Sequence, residues 1–571
     1  MTDEFRISRR QFVGTAAAGA AALGAVAGAA TLMPRAGAAP TPASPSAAGA
    51  REAEGARALR SAGPVPVPSS WDYTADVVVV GYGGAGAVSA ITAAENGASV
   101  IILEKAPAPG GSTSCASGHL QWASNAIGAA EYVLADGLGT LTQAQALAIG
   151  DQLANVGTWL SNHNVTLAPG NPTSSTAGNG FPGAQYYNFN ANVASHDGYP
   201  AGTGKDFFQY LQAAVEAQSG VQVMLDTPAI HLIQDPVTRT VLGVQASESG
   251  RVVNVKANKG VVMAPGGYEG NRDMISVFND DNPVAMYPAG CPYNTGDGIL
   301  MTTEIGAQLW HTNGFEYGYY GFKPSVFPSA FWLQPGGYGT MYAYIMVNSA
   351  GNRFHPESTS WGHIKTKPEP MVANSTGSGI AGIWPNYPFY MIFDNTILTQ
   401  GPVGMTMRSA TVGPFVGWNF STLHEGYVWS KDNSVEVANG WIVKANDLPT
   451  LAAALNINAT GLQTQVTNWN NMCAAGFDTQ LGRSASTMKP INNPPYCGIQ
   501  MCMTLINSQG GAKRNERNQV LDTMGNPIPH LYGAGEFGSY YGFFYAGSNL
   551  VGGIVDGNIS GADAAAQTPV Q

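Results

Sequence analysis

Residues Asp76 to Glu104 read DVVVVGYGGAGAVSAITAAENGASVIILE, and the fold follows from that stretch. Four consecutive valines, Val77 to Val80, predict a strand buried on both faces, because a half-exposed strand would alternate apolar and polar residues. Gly81-Tyr82-Gly83-Gly84-Ala85-Gly86 follows directly, a G-x-G-x-x-G at a strand end. A helical run from Ala85 to Asn96 comes next, stopped by Gly97, and a second apolar strand, Ser99 to Leu103, delivers the acid Glu104. Each part has a physical task. Gly81 permits the tight turn, Gly83 lets a pyrophosphate approach the backbone, and Gly86 lets the helix pack close to the strand. Glu104, eighteen residues past Gly86, is placed to accept a hydrogen bond from a ribose hydroxyl.

The chain opens differently. Ser8-Arg9-Arg10-Gln11-Phe12-Val13 precedes small apolar residues from Thr15 to Met33, and Arg35-Ala36-Gly37-Ala38-Ala39 closes the run. That is the pattern of a twin-arginine export signal, residues 1–39, and a run made mostly of Ala and Gly is only weakly hydrophobic for a membrane anchor. Residues 40–70, rich in Ala, Pro and Ser without apolar period, predict a flexible spacer. About 500 residues remain, more than one core usually serves, so two domains are expected. A net charge of −11 with no basic cluster in the body argues against a nucleic-acid partner. None of the five cysteines falls in C-x-x-C, so no zinc, haem or iron–sulfur site is signalled, and the odd count leaves at least one thiol.

After Glu104 comes a run of small and hydroxylated residues from Lys105 to Gly118, suited to lining a flat polar ligand. Amphipathic helices are predicted at Gln143 to Asn162 and Lys205 to Ser219. Short strands follow at Val221 to Leu225, Ala229 to Gln234, Val241 to Ser247, Arg251 to Lys256 and Gly260 to Ala264, a meander ending at the glycine turn Gly266-Gly267-Tyr268. Near the C-terminus, Gly525-Asn526 predicts a hairpin turn, Leu531-Tyr532 ends a buried strand before Gly533-Ala534-Gly535-Glu536, and Gly547-Ser548-Asn549-Leu550 opens a last helix.

Taken with Gly110-Gly111-Ser112-Thr113, Gly266 to Asn271 and Asn294-Thr295-Gly296-Asp297-Gly298, these blocks resemble the flavoproteins that include fumarate reductases, urocanate reductases and 3-ketosteroid dehydrogenases. The match runs from about Trp71 to Asp563, loosely over 310–480. The resemblance implies an α/β fold: a Rossmann-like FAD-binding domain with a mixed parallel sheet and a β-meander (residues 71–300 and 490–567), carrying an inserted α+β cap at 301–489. It implies FAD, held without a covalent bond, since Ser112 stands where succinate dehydrogenases attach flavin through His. The cofactor-binding positions it implies are Gly81, Gly83, Gly84, Ala85, Gly86, Glu104, Lys105, Gly110, Gly111, Ser112, Thr113, Ser117, Gly118, Ala229, Ala264, Gly266, Asn271, Asp297, Gly535, Glu536, Ser548, Asn549 and Leu550.

The same resemblance bears on the substrate. Fumarate reductases clamp a dicarboxylate with arginines and histidines; the matching positions here are Leu550, Asn507 and Trp361, and Cys291 to Asn294 contains no His. A carboxylate left unpaired there would cost several kcal/mol. Aromatic residues crowd the region instead, and Tyr496 in Pro494-Pro495-Tyr496 resembles the ketone-binding tyrosine of ketosteroid dehydrogenases. A phenol polarises a carbonyl while keeping its proton at neutral pH. Tyr496, Tyr319 and Tyr545 are therefore the expected catalytic residues. The expected reaction is hydride transfer between flavin N5 and a carbon–carbon bond beside the carbonyl of a neutral apolar ketone or enone. A separate quinone, cytochrome or flavoprotein would exchange electrons outside the cytoplasm. The alternatives are a reductase of an unsaturated acid and a flavin electron carrier without small-molecule turnover.

Overall fold

The computed structural model describes residues 64–116, 118–174, 181–196, 202–278, 286–288, 291, 293–324, 331–332, 343–357, 386–403, 429–540 and 549–570, with backbone only at 317–320 and 331–332. Strand β1 (Tyr73–Val80), helix α1 (Gly84–Glu95) and strand β2 (Val100–Leu103) reproduce the order expected from the glycine fingerprint. Val77, Val78 and Val79 are fully buried, which is what four valines in a row require. Helix α2 (Gly111–Cys115) is a single turn. Helix α3 (Gln143–Asn162) begins on a capping box in which Thr142 and Gln145 satisfy each other's backbone N–H. Helix α4 (Gly204–Glu216) follows.

The meander comprises β3 (Val221–Met224), β4 (Ala229–Gln234), β5 (Val241–Glu248) and β6 (Arg251–Met263). One expectation is corrected here. The break anticipated between Lys256 and Gly260 is a register shift and not a strand end; β6 runs on through it, antiparallel to β5 over Arg251–Lys256 and parallel to β1 from Val255 to Met263. Gly260 serves close packing instead, since a Cβ there would come within 3.1 Å of the Tyr532 ring.

Next come β7 (Met286–Pro288), α5 (Asp297–Glu304), β8 (Phe315–Phe322), β9 (Phe331–Trp332), β10 (Tyr344–Asn348), β11 (Phe389–Asp394), β12 (Val443–Ala445), α6 (Leu448–Leu455) and α7 (Ala459–Ala475). The chain closes with β13 (Tyr496–Ser508), β14 (Gln519–Leu521), β15 (Pro527–Gly533) and α8 (Asn549–Ala565).

Two large sheets result. The first runs β14-β15-β6-β1-β2-β3, with β5 beside β6 and β4 beside β5; the pairs from β15 to β3 are parallel and the meander and hairpin pairs antiparallel. This is the mixed α/β fold anticipated. The second runs β9-β8-β13-β11-β10, with β7 and β12 also on β13, so the long strand β13 is its spine.

Arg353 locks the second sheet to its helices. Its guanidinium bonds both oxygens of Glu357 at 2.9 and 2.7 Å, reaches Asp478 at 3.0 Å and lies over the Trp469 ring at 4.6 Å. Such an arrangement offsets the desolvation of three buried charges only because every oxygen is bonded. It holds the Asp478 carboxyl down to about 2 against its burial.

Helix α8 carries Gly553, Gly557 and Gly561 at four-residue spacing, and this stripe lies on α1. Each glycine costs up to about 1 kcal/mol of helix propensity relative to Ala, so the close approach must repay it. A Cβ on Gly557 would sit 2.6 Å from Val88 Cβ and 3.0 Å from Ala85 O. Gly557→Ala is therefore expected to lower stability by about 1–3 kcal/mol through overpacking, although propensity alone favours Ala. Urea denaturation of the two proteins decides between the two effects by the sign of the change in midpoint.

Candidate cofactor and substrate site

Glu104 anchors the site. One carboxylate oxygen accepts the Tyr82 N–H at 2.7 Å and the other the Ala106 N–H at 2.7 Å, so the acid ties the glycine turn to the loop after β2. Burial raises its pKa and these backbone donors oppose that rise. A carboxylate has further lone-pair positions, which leaves acceptor capacity for a ribose hydroxyl.

The glycine turn is closed to any side chain. Gly81 has φ +101°, and a Cβ on it would lie 2.3 Å from the Ala264 carbonyl oxygen; one on Gly86 would lie 2.0 Å from the Gly81 oxygen. Gly83 is the N-cap of α1 and offers no side-chain cap, so the first-turn N–H groups of Ala85 and Gly86 are left for an anion. The Gly84 N–H donates to Thr113 Oγ1 at 3.0 Å, and Gly83 bridges Gly110, which brings the Gly110–Thr113 turn alongside as a second wall. Residues of this kind in this order fit a dinucleotide diphosphate.

The other expected ligands gather around this cradle, several of them already bonded. Lys105 Nζ reaches Asp297 at 2.6 Å and Thr295 at 2.8 Å, so these two charges meet each other. Asn271 ties its own turn to Thr295 O at 2.9 Å and accepts the Met274 N–H at 3.1 Å. Ala229 opens β4 just after Thr227, whose N–H donates to Glu104 O at 2.8 Å, and the Ala264 N–H donates to Val80 O at 2.8 Å. Gly266 abuts Asn294, and Gly118 packs against Thr203. The Gly535 N–H donates to Asp556 at 3.1 Å, while Gly111 packs against Gly83, and Asn549 and Leu550 begin α8. Ser117 and Ser548 lie outside the described residues.

The expected tyrosines fare differently. Tyr496 starts β13, paired with Asp394 and Ala445 and packed on the cluster of Leu451, Leu455 and Trp469. Asn507, near the cradle, lies eleven residues along the same strand, roughly 36 Å at about 3.3 Å per residue. The structure thus places Tyr496 at the far end of β13 from Asn507, and long-range pairing with β11 and β12 decides its place. Tyr319 lies in β8 where the register shifts between Gly318 and Gly321, opposite Thr504 and Cys502. Tyr545 and Trp361 lie outside the described residues.

One feature of the site escaped the sequence reading. Glu269 is fully buried and accepts from Asn294 Nδ2 at 2.6 Å and Ser508 Oγ at 3.0 Å. Asn294 Nδ2 also donates to Ser112 Oγ at 2.8 Å, and Ser112 and Asn507 bond Glu536. Glu316, fully buried, is the register partner of Asn507. Burial first, then the mutual repulsion of these acids, holds the Glu536 carboxyl well above the usual carboxylate range, and burial does the same for Glu269. An acid inside a glycine-rich turn, Gly266-Gly267-Tyr268-Glu269, was the available signal. Cys115 and Cys291 pack together nearby, and burial pushes both thiols up, Cys291 to about 12, so neither is a thiolate at neutral pH. All five cysteines are free thiols.

Replacing Glu104 by Gln tests the anchor. The amide would present N–H to one of two backbone N–H groups, and the FAD Kd is expected to rise at least about tenfold, or about 1.4 kcal/mol. Flavin fluorescence titration of the apoprotein measures it; an unchanged Kd would restrict Glu104 to holding the loop.

Comparison with known proteins agrees with this geometry. The family model described as FAD binding domain matches residues 76–551. A vinyl phenol reductase of Lactiplantibacillus plantarum is 27% identical over 525 residues, covering 87% of this chain and 97% of that protein. A digoxin reductase of Eggerthella lenta is 26% identical over 88% of this chain and 89% of its own length. The crystal structure of 3-ketosteroid Δ1-dehydrogenase from Sterolibacterium denitrificans shares the fold with a TM-score of 0.67 at 21% identity, covering 86% of this chain and 99% of that one. With a glycine turn that fits a diphosphate and a family match over most of its length, the chain belongs to the FAD-binding domain family and is an FAD-dependent oxidoreductase.

Proposed function

We propose that this protein is an exported flavoenzyme that moves a hydride between flavin N5 and a carbon–carbon bond beside the carbonyl of a neutral apolar ketone or enone. The observation that carries the reading is how the charges near the site are spent. The positions that would clamp a dicarboxylate hold buried Leu550 and Asn507, and the Asn507 side chain accepts from Gln509 at 2.9 Å. Arg353, the nearest candidate for a replacement clamp by sequence, is consumed by Glu357 and Asp478. A substrate carboxylate placed beside Glu269 and Glu536 would be one more buried acid among acids whose donors are neutral, which costs several kcal/mol. Two of the relatives are named for reducing a vinyl phenol and digoxin, which favours this reading, while others are named for urocanate and fumarate.

Bound non-covalently, FAD supplies N5 as hydride donor or acceptor. The protein's own contribution is to exclude water and to handle the proton at the carbon alpha to the carbonyl, which we assign to the phenol of Tyr319. The twin-arginine pattern at Arg9-Arg10 supports export, and the exchange of electrons with a separate quinone, cytochrome or flavoprotein completes the cycle.

One observation favours a second reading, reduction of an unsaturated acid. Arg272 and Lys323 flank the Tyr287 ring at 5.1 and 5.5 Å, and Tyr287 pairs with Thr504, three residues from Asn507 on β13. Two cations on one aromatic face would suit a carboxylate.

The proton-transfer assignment makes a directional prediction. With a 3-oxo-4-ene steroid or a simple cyclic enone as substrate, Tyr319→Phe is expected to slow single-turnover flavin oxidation about 10²-fold or more. Tyr496→Phe, at the far end of β13 from Asn507, is expected to stay within about threefold of the parent. The reverse ranking would restore Tyr496 as the ketone-binding residue and remove Tyr319.

A further inference from the structure

We propose that Glu269 and Glu536 form a proton-holding site beside the flavin cradle, one that takes a proton from water when the bound cofactor gains electrons. The inference rests on the bound FAD and is independent of which substrate the enzyme uses.

Two carboxylates reach this place from different segments, the turn after β6 and the turn after β15, and a further acid, Glu316 of strand β8, is the register partner of Asn507. The donors to Glu269 are the amide of Asn294 and the hydroxyl of Ser508, and those to Glu536 are Ser112 and Asn507, all neutral. Among the described residues no cation lies within ion-pair distance of Glu269 or Glu536; Lys105 is held by Asp297 at 2.6 Å, and Arg514 by Asp556 at 3.1 Å. Buried like charges that lack a cation cannot all ionise, so the group shares protons as a unit.

A second, independent feature points the same way. Gln509 is fully buried, its Nε2 donates to Asn507 at 2.9 Å, and among the described residues its Oε1 accepts from no donor. A buried carbonyl without a donor is costly. It marks a place where an O–H belongs, next to the residue that bonds Glu536.

The other titratable groups facing the cluster do not compete. Cys115 on α2 and Cys291 keep their protons through the neutral range, and the Lys105–Asp297 pair and Glu104 are tied into the cradle. On two-electron reduction, two electrons from the reductant and one proton from water enter the flavin. The negative charge that remains is matched by one further proton from water, which converts a carboxylate of the cluster into a carboxylic acid. No bond between heavy atoms forms or breaks.

The test uses holoprotein with dithionite and no substrate. Redox-difference infrared spectra should show a carboxylic-acid C=O band growing on reduction, shifted in D2O and lost or weakened in Glu269→Gln. In parallel, the flavin potential should fall as pH rises from 5.5 to 8.5, with a slope about 30 mV per pH unit steeper in the parent than in Glu269→Gln, one proton per two electrons. Glu536→Gln provides the same comparison where Glu269→Gln fails to retain FAD. A parent protein with no carboxylic-acid band on reduction, or variants that bind FAD and keep the parent slope, would overturn the proposal. Failure of the neutral-substrate reading would leave both results unchanged.

Discussion

The structure depends on one steric constraint: at the end of β1 three backbone segments meet with no room for a methyl group. The carbonyls of Gly81 and Ala264 occupy the places where Cβ atoms of Gly86 and Gly81 would go. That approach brings α1 onto the sheet, aims its uncapped first turn at a diphosphate and sets the strand end that delivers Glu104. The glycine stripe of α8 repeats the device against the outer side of α1, so the chain's last helix fixes Asn549 and Leu550 at the cradle. A cradle made of backbone is indifferent to side-chain chemistry, which is why one nucleotide frame can serve several reactions.

What distinguishes this chain is its electrostatics. The cap-side arginines Arg353 and Arg483 are committed to Glu357 and Asp478, where they hold β10 and α7 together through Trp469 and Tyr344. Glu269 and Glu536, by contrast, have neutral donors among the described residues. Cations thus build the fold in one place and acids crowd the site in another. A site of that kind repels anions and welcomes protons, the combination a reaction on a neutral carbonyl compound requires.

The nucleotide frame was legible because its signals are local. Four valines, a glycine turn, a helix stop and an acid fall within twenty-nine residues. The break expected before Gly260 is a register shift inside one strand, and Gly260 itself makes room for Tyr532. Tyr496 shows a limit of a different kind. Its motif is local, but its position is set by pairing with Asp394, about a hundred residues earlier, and no pattern within reach of the motif carries that information. The Glu269–Asn294–Ser112–Glu536 network was invisible in the same way, since its members are far apart in sequence and each is unremarkable alone.

The central claim, that the site takes a neutral substrate, is tested most directly by a matched pair differing only in charge. Reduced holoprotein is mixed anaerobically with an α,β-unsaturated acid and with its methyl ester, and the return of oxidised-flavin absorbance is followed at a pH where the acid is fully ionised. The account predicts fast reoxidation by the ester and reoxidation at least about a hundredfold slower by the acid, a difference of about 2.7 kcal/mol in transition-state stabilisation. Faster reoxidation by the acid would contradict it and would assign Arg272 and Lys323 to a carboxylate clamp.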